Sequence, residues 1–150
     1  MSRCVLFAEV PSFYAAVARA DDPSLVSRPV LVGGDPRKRG RVQAATADAL
    51  ALGVTLEMTV LEALRHCPIA RAVRTDMARY REVSRRLFAV LRASSPQLEA
   101  FGLAACYADV SARADDAEAH ARRLLEAVAE RDRLVALLKK HGIDPSESAA

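Results

Sequence analysis

The first strongly patterned stretch of the chain is CVLFAEVPSFYAAV at residues 4–17, and it indicates how the fold begins. Its opening residues, 4–8, form a short apolar run that is typical of a buried strand, and Pro11 closes this run. Ser12 then offers an N-cap for a helix, because apolar residues recur after it at helical spacing until Asp21-Asp22-Pro23 interrupts them. The stretch therefore predicts a strand followed directly by a helix.

Glycine and proline residues divide the next part of the chain into short elements. Residues 29–32 are predicted to form a strand that enters the turn GGDP at residues 33–36, and residues 40–45 its hairpin partner. The later elements are expected to be two short helices at 48–52 and 60–66, a long helix at 77–93, a strand pair at 98–110 that bends at Gly102, and a last helix capped by Asp115 or Asp116. Residues 141–150 have nothing to bury and are expected to form a flexible tail.

The composition excludes several classes of protein. The 150 residues are 51% hydrophobic and 27% charged, as in ordinary globular proteins, and this length favours one compact unit without a second full-size domain. The three cysteines are odd in number and show no CxxC spacing, which argues against a disulfide framework and a zinc site. No apolar run approaches the ~20 residues of a membrane helix, and no signal peptide opens the chain. We therefore expect a cytoplasmic protein that is neither secreted nor membrane-spanning.

The positive charge is concentrated in one segment, although the formal net charge is only +3. Residues 71–92 contain seven arginines and two acidic residues, whereas residues 93–150 carry seven basic and ten acidic groups. Such a segment is typical either of phosphate contacts or of a solvated charged face, and the sequence leaves both interpretations open. The candidate nucleic-acid-binding residues are Arg37, Lys38, Arg39 and Arg41 on the hairpin tip and Arg81, Arg85 and Arg92 on the long helix.

Five motifs occur in an order that resembles one polymerase family. FAEVPSFYAAV at residues 7–17 resembles a first motif in which a strand ends in Asp-x-Asp before two aromatic residues. RPVLVGGDPRKRGRVQAAT at 28–46 and ALALGVTLEMTVLEALRHCP at 49–68 resemble a finger hairpin and its continuation. RYREVSRRLFAVL at 79–91 and LEAFGLAACYADVS at 98–111 resemble a Tyr-x-x-x-Ser palm helix and a second metal motif, Ser-Ile-Asp-Glu-Ala-Tyr-Leu-Asp-Val. Together these motifs resemble the Y-family, UmuC/DinB-like translesion DNA polymerases.

The resemblance implies a fold and a domain arrangement. The fold would be α+β, with a palm-like sheet and its helices built from residues 1–10 and 72–140. A small fingers-like subdomain would occupy residues 11–71. Members of the family continue through a further palm strand, a thumb and a little-finger domain, which this sequence does not contain, so the chain resembles a truncated palm and fingers region.

The departures from the family's motifs concern its metal site. Family members use carboxylate oxygens to hold two Mg²⁺ ions between the attacking 3′-hydroxyl and the incoming triphosphate. In this chain Glu9 stands at the first metal position, and Ala104 and Ala105 replace an adjacent Asp-Glu pair. Because a methyl group cannot ligate a hard cation, the resemblance implies degenerate metal positions, no catalytic residue and no resident cofactor.

Three further positions bear on nucleotide binding. Ala47 and Leu50 stand where the family's Tyr and Arg touch the triphosphate, so nucleotide binding is expected to be weakened. Tyr14 stands at the steric-gate position, where the family keeps the aromatic residue that rejects ribonucleotides. Without a bound nucleotide, Tyr14 is expected to serve in packing.

The sequence leaves three functions open. The first is a catalytically inactive accessory or scaffold module in DNA repair or translesion synthesis, similar to the dead Y-family subunit of bacterial mutasomes. Its expected partners are DNA repair or replication proteins, with weakly bound DNA and a second copy of the chain as further candidates. The alternative is a weakly active nucleotidyltransferase that holds Mg²⁺ through Glu9 and Asp109. A plainer interpretation of these two residues is that Glu9 ends a strand in solvent and Asp109 hydrogen-bonds to a turn. The third is a gene remnant that folds but has no activity.

Overall fold

The structure is a computed structural model that describes residues 4–94, 97–111, 118–123 and 125–126. In chain order its elements are β1 (Val5–Glu9), α1 (Phe13–Asp21), β2 (Val30–Gly33), β3 (Val42–Ala45), α2 (Ala47–Ala51), α3 (Val60–His66), β4 (Arg71–Arg74), α4 (Met77–Ser94), β5 (Leu98–Phe101) and β6 (Ala105–Asp109). Short 3₁₀ turns occupy Pro23–Leu25 and Pro36–Lys38, and the described residues after 117 are helical. The predicted tail at 141–150 and the predicted caps Asp115 and Asp116 lie outside the described residues.

The chain divides into two compact units, one formed by Val10–Val83 and the other by the residues before Val10 and from Ser84 onwards. The division therefore falls inside α4 and later in the chain than the predicted division after residue 71. The physical reason is β4, which pairs with β2 and so belongs to the Val10–Val83 unit. The palm-like and fingers-like assignments of these units stay predictions.

The unit that contains β1 is organised around an antiparallel sheet in the order β1-β6-β5. The β1–β6 register runs from the Val5–Asp109 pair to the Glu9–Ala105 pair, and β5 pairs with the other side of β6. Gly102, with φ +70°, lies in the turn between β5 and β6, where a left-handed conformation favours glycine. The predicted strand pair, its bend at Gly102 and its adjacency to the first strand are confirmed.

One face of this sheet is covered by α4. Cys106 is buried against Phe88 and Leu91, and Ala8 and Leu98 pack on the same cluster. Successive residues of a strand point to opposite faces, so these apolar side chains share one face of the sheet. The burial raises the pKa of the Cys106 thiol, because the charged thiolate is disfavoured away from water.

The Val10–Val83 unit contains a second sheet in the order β3-β2-β4. The central strand β2 is buried at every position, since α1 and α3 both pack against it. Leu31 of β2 is fully buried in a core that includes Ala45, Val60 and Ala63. β2 is antiparallel to β3, as the hairpin prediction required, and parallel to β4, which the sequence analysis did not predict.

The helix ends agree with the sequence in most places. Thr59 and Glu62 form a capping box at the start of α3, whose bounds are those predicted, and α2 ends before Gly53, which has φ +90°. The exception is Ser12, whose side chain makes no capping hydrogen bond to α1. Ser12 is left-handed, with φ 51°, whereas a side-chain N-cap needs an extended residue, so the predicted cap is wrong. None of the described helices is long and apolar enough to cross a membrane.

Candidate functional site

The three predicted metal positions lie together at one end of the β1–β6 ladder. Glu9 is the last residue of β1 and is paired directly with Ala105, the first residue of β6. Ala104 precedes it in the β5–β6 turn. Directly opposed residues of an antiparallel pair have Cβ atoms about 4.5–5.5 Å apart. The residue directly across the ladder from Glu9 therefore offers only a methyl group.

The side chains at this position do not fit a two-metal centre. Glu9 is exposed and Ala105 is buried, and alanine supplies no oxygen donor. Two catalytic Mg²⁺ ions lie about 3.5–4 Å apart and repel each other, so they need several carboxylates between them. Across the described ranges there is no group of three or more His, Cys, Asp or Glu side chains that could hold a metal ion.

Asp109 lies at the other end of the same ladder. It pairs with Val5, four residues before Glu9, which separates the two acidic residues by about 13 Å along the strands. The Asp109 carboxylate accepts a hydrogen bond from the Ser111 backbone N–H at 2.9 Å, and the Ser111 hydroxyl accepts one from the Cys4 N–H at 2.9 Å. Glu9 and Asp109 therefore cannot share one metal ion, and that part of the alternative prediction is wrong. The plainer interpretation of both residues, an exposed strand end and a turn contact, is confirmed.

The face of the sheet that carries Glu9 also carries an exposed aromatic cluster. The Phe7 and Tyr107 ring centroids are 5.0 Å apart, and those of Phe101 and Tyr107 are 6.1 Å apart. Phe7 pairs with Tyr107 in the β1–β6 register. This cluster was not predicted from the sequence, although the period of two along β1 already placed Phe7 on the same side as Glu9.

Tyr14 is used in packing within the Val10–Val83 unit. Its ring stacks on Tyr80, with centroids 4.2 Å apart and planes inclined by 11°, and Phe13 meets Tyr80 edge-on at 6.4 Å. Tyr80 is almost fully buried, and desolvation raises the pKa of its hydroxyl. These contacts support the packing role expected for Tyr14, while a steric-gate role stays a prediction.

The basic residues of the hairpin tip form one exposed turn. Arg37 and Lys38 end the 3₁₀ turn after β2, and the Asp35 carboxylate caps this turn by accepting a hydrogen bond from the Arg37 N–H at 2.9 Å. Gly40 lies so close to Gly34 that a Cβ on Gly40 would be 2.5 Å from the Gly34 carbonyl carbon. The turn is therefore held tightly while its cations face solvent. The exposed cations are Arg37, Lys38, Arg39 and Arg41.

The predicted arginines of α4 belong to different units. Arg81 lies in the Val10–Val83 unit, whereas Arg85 and Arg92 lie in the other, and all three are exposed. The Arg92 guanidinium stands 5.7 Å from the centroid of the Phe88 ring.

Arg79, which the sequence analysis counted in the basic segment, is neutralised within the protein. Its guanidinium donates two hydrogen bonds to the Asp21 carboxylate, at 2.6 and 2.8 Å, and one to Glu82 at 2.8 Å. These partners raise the pKa of Arg79. Arg79 joins α4 to the end of α1 and is not counted among the phosphate contacts.

A family model described as the impB/mucB/samB family matches residues 9–140, most of the chain. This chain belongs to the impB/mucB/samB family. It is 36% identical over 109 residues to DNA polymerase IV of Ralstonia nicotianae, an alignment that covers 73% of this chain and 30% of that protein. It is 40% identical over 111 residues to DNA polymerase IV of Pelotomaculum thermopropionicum, covering 73% of this chain and 28% of that protein. The chain thus spans about 30% of the length of these curated relatives.

Solved structures show that this chain has the Y-family polymerase fold. It superposes on a Y-family DNA polymerase chimera with a TM-score of 0.80 at 23% identity, covering 86% of this chain and 40% of the other. The insertion ternary complex of Dbh DNA polymerase gives a TM-score of 0.79 at 24% identity, with the same coverage. The predicted family and the predicted α+β fold are confirmed.

Two positions predicted to have lost triphosphate contacts lie on α2. Ala47 is the first residue of the helix and Leu50 comes one turn later, and both side chains are exposed. Neither side chain can donate a hydrogen bond or carry a positive charge. The chemistry of α2 is consistent with weak nucleotide binding, which stays a prediction.

Proposed function

We propose that this chain is a catalytically inactive polymerase-like domain that acts as an accessory or scaffold module in DNA repair or translesion synthesis and binds DNA weakly. Its family and its DNA polymerase IV relatives support the connection with DNA synthesis. Its free cysteines are compatible with a reducing cytoplasm, where we propose it works. Its partners would be DNA repair or replication proteins, and a second copy of the chain is a further candidate.

One observation carries the proposal of inactivity, namely the direct pairing of Glu9 with Ala105. A polymerase metal centre stabilises the charge that develops on the transferred phosphoryl group, and it requires clustered carboxylates to hold its ions. Loss of two of these carboxylates removes several kcal/mol of transition-state stabilisation, and each 1.4 kcal/mol corresponds to about tenfold in rate. The separation of Glu9 from Asp109 gives the weakly active alternative no support.

DNA binding would depend on the exposed basic turn after β2. Four cations project from a turn whose backbone is held by Asp35 and by the close approach of Gly34 and Gly40. Such contacts recognise phosphates without reading sequence, and they weaken in high salt because counterion release then contributes less free energy. With four contacts, the slope of log K against log salt would be about −3 to −4.

A primer-extension assay tests the proposed inactivity. The chain is incubated with a primed template and the four deoxynucleoside triphosphates in Mg²⁺ and separately in Mn²⁺, with the DNA polymerase IV of Ralstonia nicotianae as a positive control. We expect no extension above the background of a buffer control. Extension that is lost in the Glu9→Ala variant would overturn the proposal.

A salt titration of DNA binding tests the basic turn. Fluorescence anisotropy with a labelled primed template measures the affinity of the wild type and of a variant with Arg37 and Lys38 changed to Ser. We expect the slope of log K against log salt to fall by about two in magnitude. The matched control changes Arg65, an arginine of α3, to Ser and should leave the slope within about one of the wild type. An unchanged slope in the turn variant would exclude this turn as the DNA contact.

A further inference from the structure

The sheet β1-β6-β5 presents one face to solvent, and this open face is apolar at its centre. The exposed fractions are 43% for Val5, 52% for Phe7, 63% for Phe101 and 44% for Tyr107. The Phe7 and Phe101 rings both contact the Tyr107 ring, so the three form one continuous cluster. With about 200 Å² for each aromatic side chain, the exposed aromatic surface is roughly 300 Å². A continuous apolar patch of this size is comparable with the largest patch on a typical monomeric protein, and such a patch is often functional.

The architecture indicates what kind of element covers such a face. An apolar sheet face must be buried against another element, which is either a helix or a second sheet. In this unit α4 covers the opposite face through Phe88 and Leu91. The aromatic and aliphatic side chains of the open face form a similar apolar surface, on which a second helix can pack.

The charge on the open face selects the chemistry of that helix. Glu99 is paired directly with Tyr107, and Asp109 with Val5, so acidic residues alternate with the exposed apolar ones on the same face. Glu9 lies at the end of the Phe7 row. None of the residues of these three strands is lysine or arginine. The face is therefore apolar and acidic.

We propose that the open face binds a helix of a partner protein that carries an apolar stripe flanked by lysine or arginine. The apolar stripe would bury the rings, while basic side chains would extend their methylene stems over the apolar surface and place their charges beside Glu99 and Glu9. The proposal rests on the scaffold function above and specifies the chemistry of the partner.

The same charges argue against two other occupants. A nucleic acid strand would bring its phosphates against carboxylates, although exposed aromatic side chains alone can stack with bases. A second copy related by a two-fold axis would bring the same acidic surface against itself. The charge complementarity therefore favours a basic helix.

The experiment measures binding of a fluorescein-labelled helical peptide of leucine and lysine, about 18 residues long, to the full chain by anisotropy. The comparison peptide replaces lysine by glutamate at every position. We expect the basic peptide to bind at least about tenfold more tightly than the acidic one. Unlabelled oligothymidylate is added as a competitor, and sedimentation equilibrium measures self-association in parallel.

Matched variants locate the binding. Phe101→Ser and Glu99→Lys should each weaken binding of the basic peptide about tenfold. Ile69→Ser removes a side chain of the same 63% exposure from the other unit, and Glu57→Lys reverses an exposed charge there, so both should bind as the wild type does. Because Phe101 and Glu99 are exposed, their replacement should leave the circular dichroism and the melting temperature close to those of the wild type.

Four outcomes overturn the proposal. The first two are that the chain binds both peptides equally well, and that the control variants weaken binding as much as Phe101→Ser and Glu99→Lys do. The other two are that oligothymidylate competes with the peptide, or that the chain self-associates, and that Phe101→Ser abolishes this effect. The last two would assign the face to nucleic acid or to a second copy. Primer extension that depends on Glu9 would contradict the proposed inactive function and would not affect the peptide result. If the chain neither extends primers nor binds the basic peptide, only the proposal of a helix-binding face is contradicted.

Discussion

The pairing of Glu9 with Ala105 makes a quantitative prediction for the Ala105→Glu variant. This substitution places a second carboxylate directly across the ladder from Glu9, at the position where the resemblance to family members implies one. Two carboxylates about 5 Å apart repel each other by about 1 kcal/mol in a water-like dielectric and by about 3 kcal/mol at an effective dielectric of 20. Because Glu9 is exposed, the smaller figure applies. We expect a charge–charge coupling of about 1 kcal/mol that destabilises the folded chain at neutral pH.

A double-mutant cycle isolates this coupling from the cost of inserting a larger side chain at a buried position. Ala105→Gln is the uncharged control of the same size, and each variant is made in the wild-type and in the Glu9→Gln background. Urea unfolding monitored by circular dichroism gives the free energy of unfolding of all members of the cycle.

Divalent cations provide an independent check on the same geometry. Two opposed carboxylates create a binding option that the wild type lacks, so Ca²⁺ or Mg²⁺ should stabilise Ala105→Glu more than Ala105→Gln. A cation concentration ten times the dissociation constant would add about 1.4 kcal/mol to the free energy of unfolding. A coupling below about 0.3 kcal/mol at neutral pH would refute the pairing of Glu9 with residue 105.

Three further predictions concern the folded units. Cys106 is buried, and desolvation raises the pKa of its thiol. In a variant whose other two cysteines are serine, this thiol should react with Ellman's reagent near pH 8 at least about a hundredfold more slowly in the native chain than in denaturant, and equal rates would contradict its burial. Hydrogen bonds from Thr59 lower the pKa of Glu62, so the Glu62 carboxylate should stabilise the fold at a pH above its ordinary pKa, and this stabilisation should be lost as the pH falls through the lowered pKa. Glu62→Gln should therefore flatten the pH dependence of the unfolding free energy below about pH 5, and a profile parallel to that of the wild type would rule out the capping box. Leu31→Ala should lower the free energy of unfolding in urea by about 3–5 kcal/mol because Leu31 is fully buried, whereas Leu61 is half-exposed and Leu61→Ala should lower it by less than about 1 kcal/mol. Equal losses would place Leu31 outside the core.

The elements that the sequence predicted correctly are those with local signals. The α3 helix has the predicted bounds because Thr59 and Glu62 cap it through neighbouring residues, and the β5–β6 turn falls at Gly102 because a left-handed turn residue favours glycine. The family resemblance depended on motifs of the same local kind. Each of these signals lies within a few residues of the structure that it specifies.

The elements that the sequence missed depend on partners far along the chain. β4 is short and mostly exposed, with an arginine at each end, and becomes a strand because β2, from a distant part of the chain, pairs with it. Ser12 has the composition of a cap but a left-handed backbone, so its side chain makes no capping hydrogen bond. Residue identity alone does not report either effect.

The amino-acid types alone established that two of the three expected metal positions are alanine, since donor chemistry belongs to the side chain and not to its surroundings. The register of the β1–β6 ladder then separated Glu9 from Asp109 and assembled Phe7, Phe101 and Tyr107 on one exposed face. A shift of that register by one residue would have moved each side chain to the other face. Pairing between strands nearly a hundred residues apart is a property of the folded chain. For that reason the period of two within β1 could place Phe7 on the face of Glu9, but it could not bring Tyr107 and Phe101 to that face.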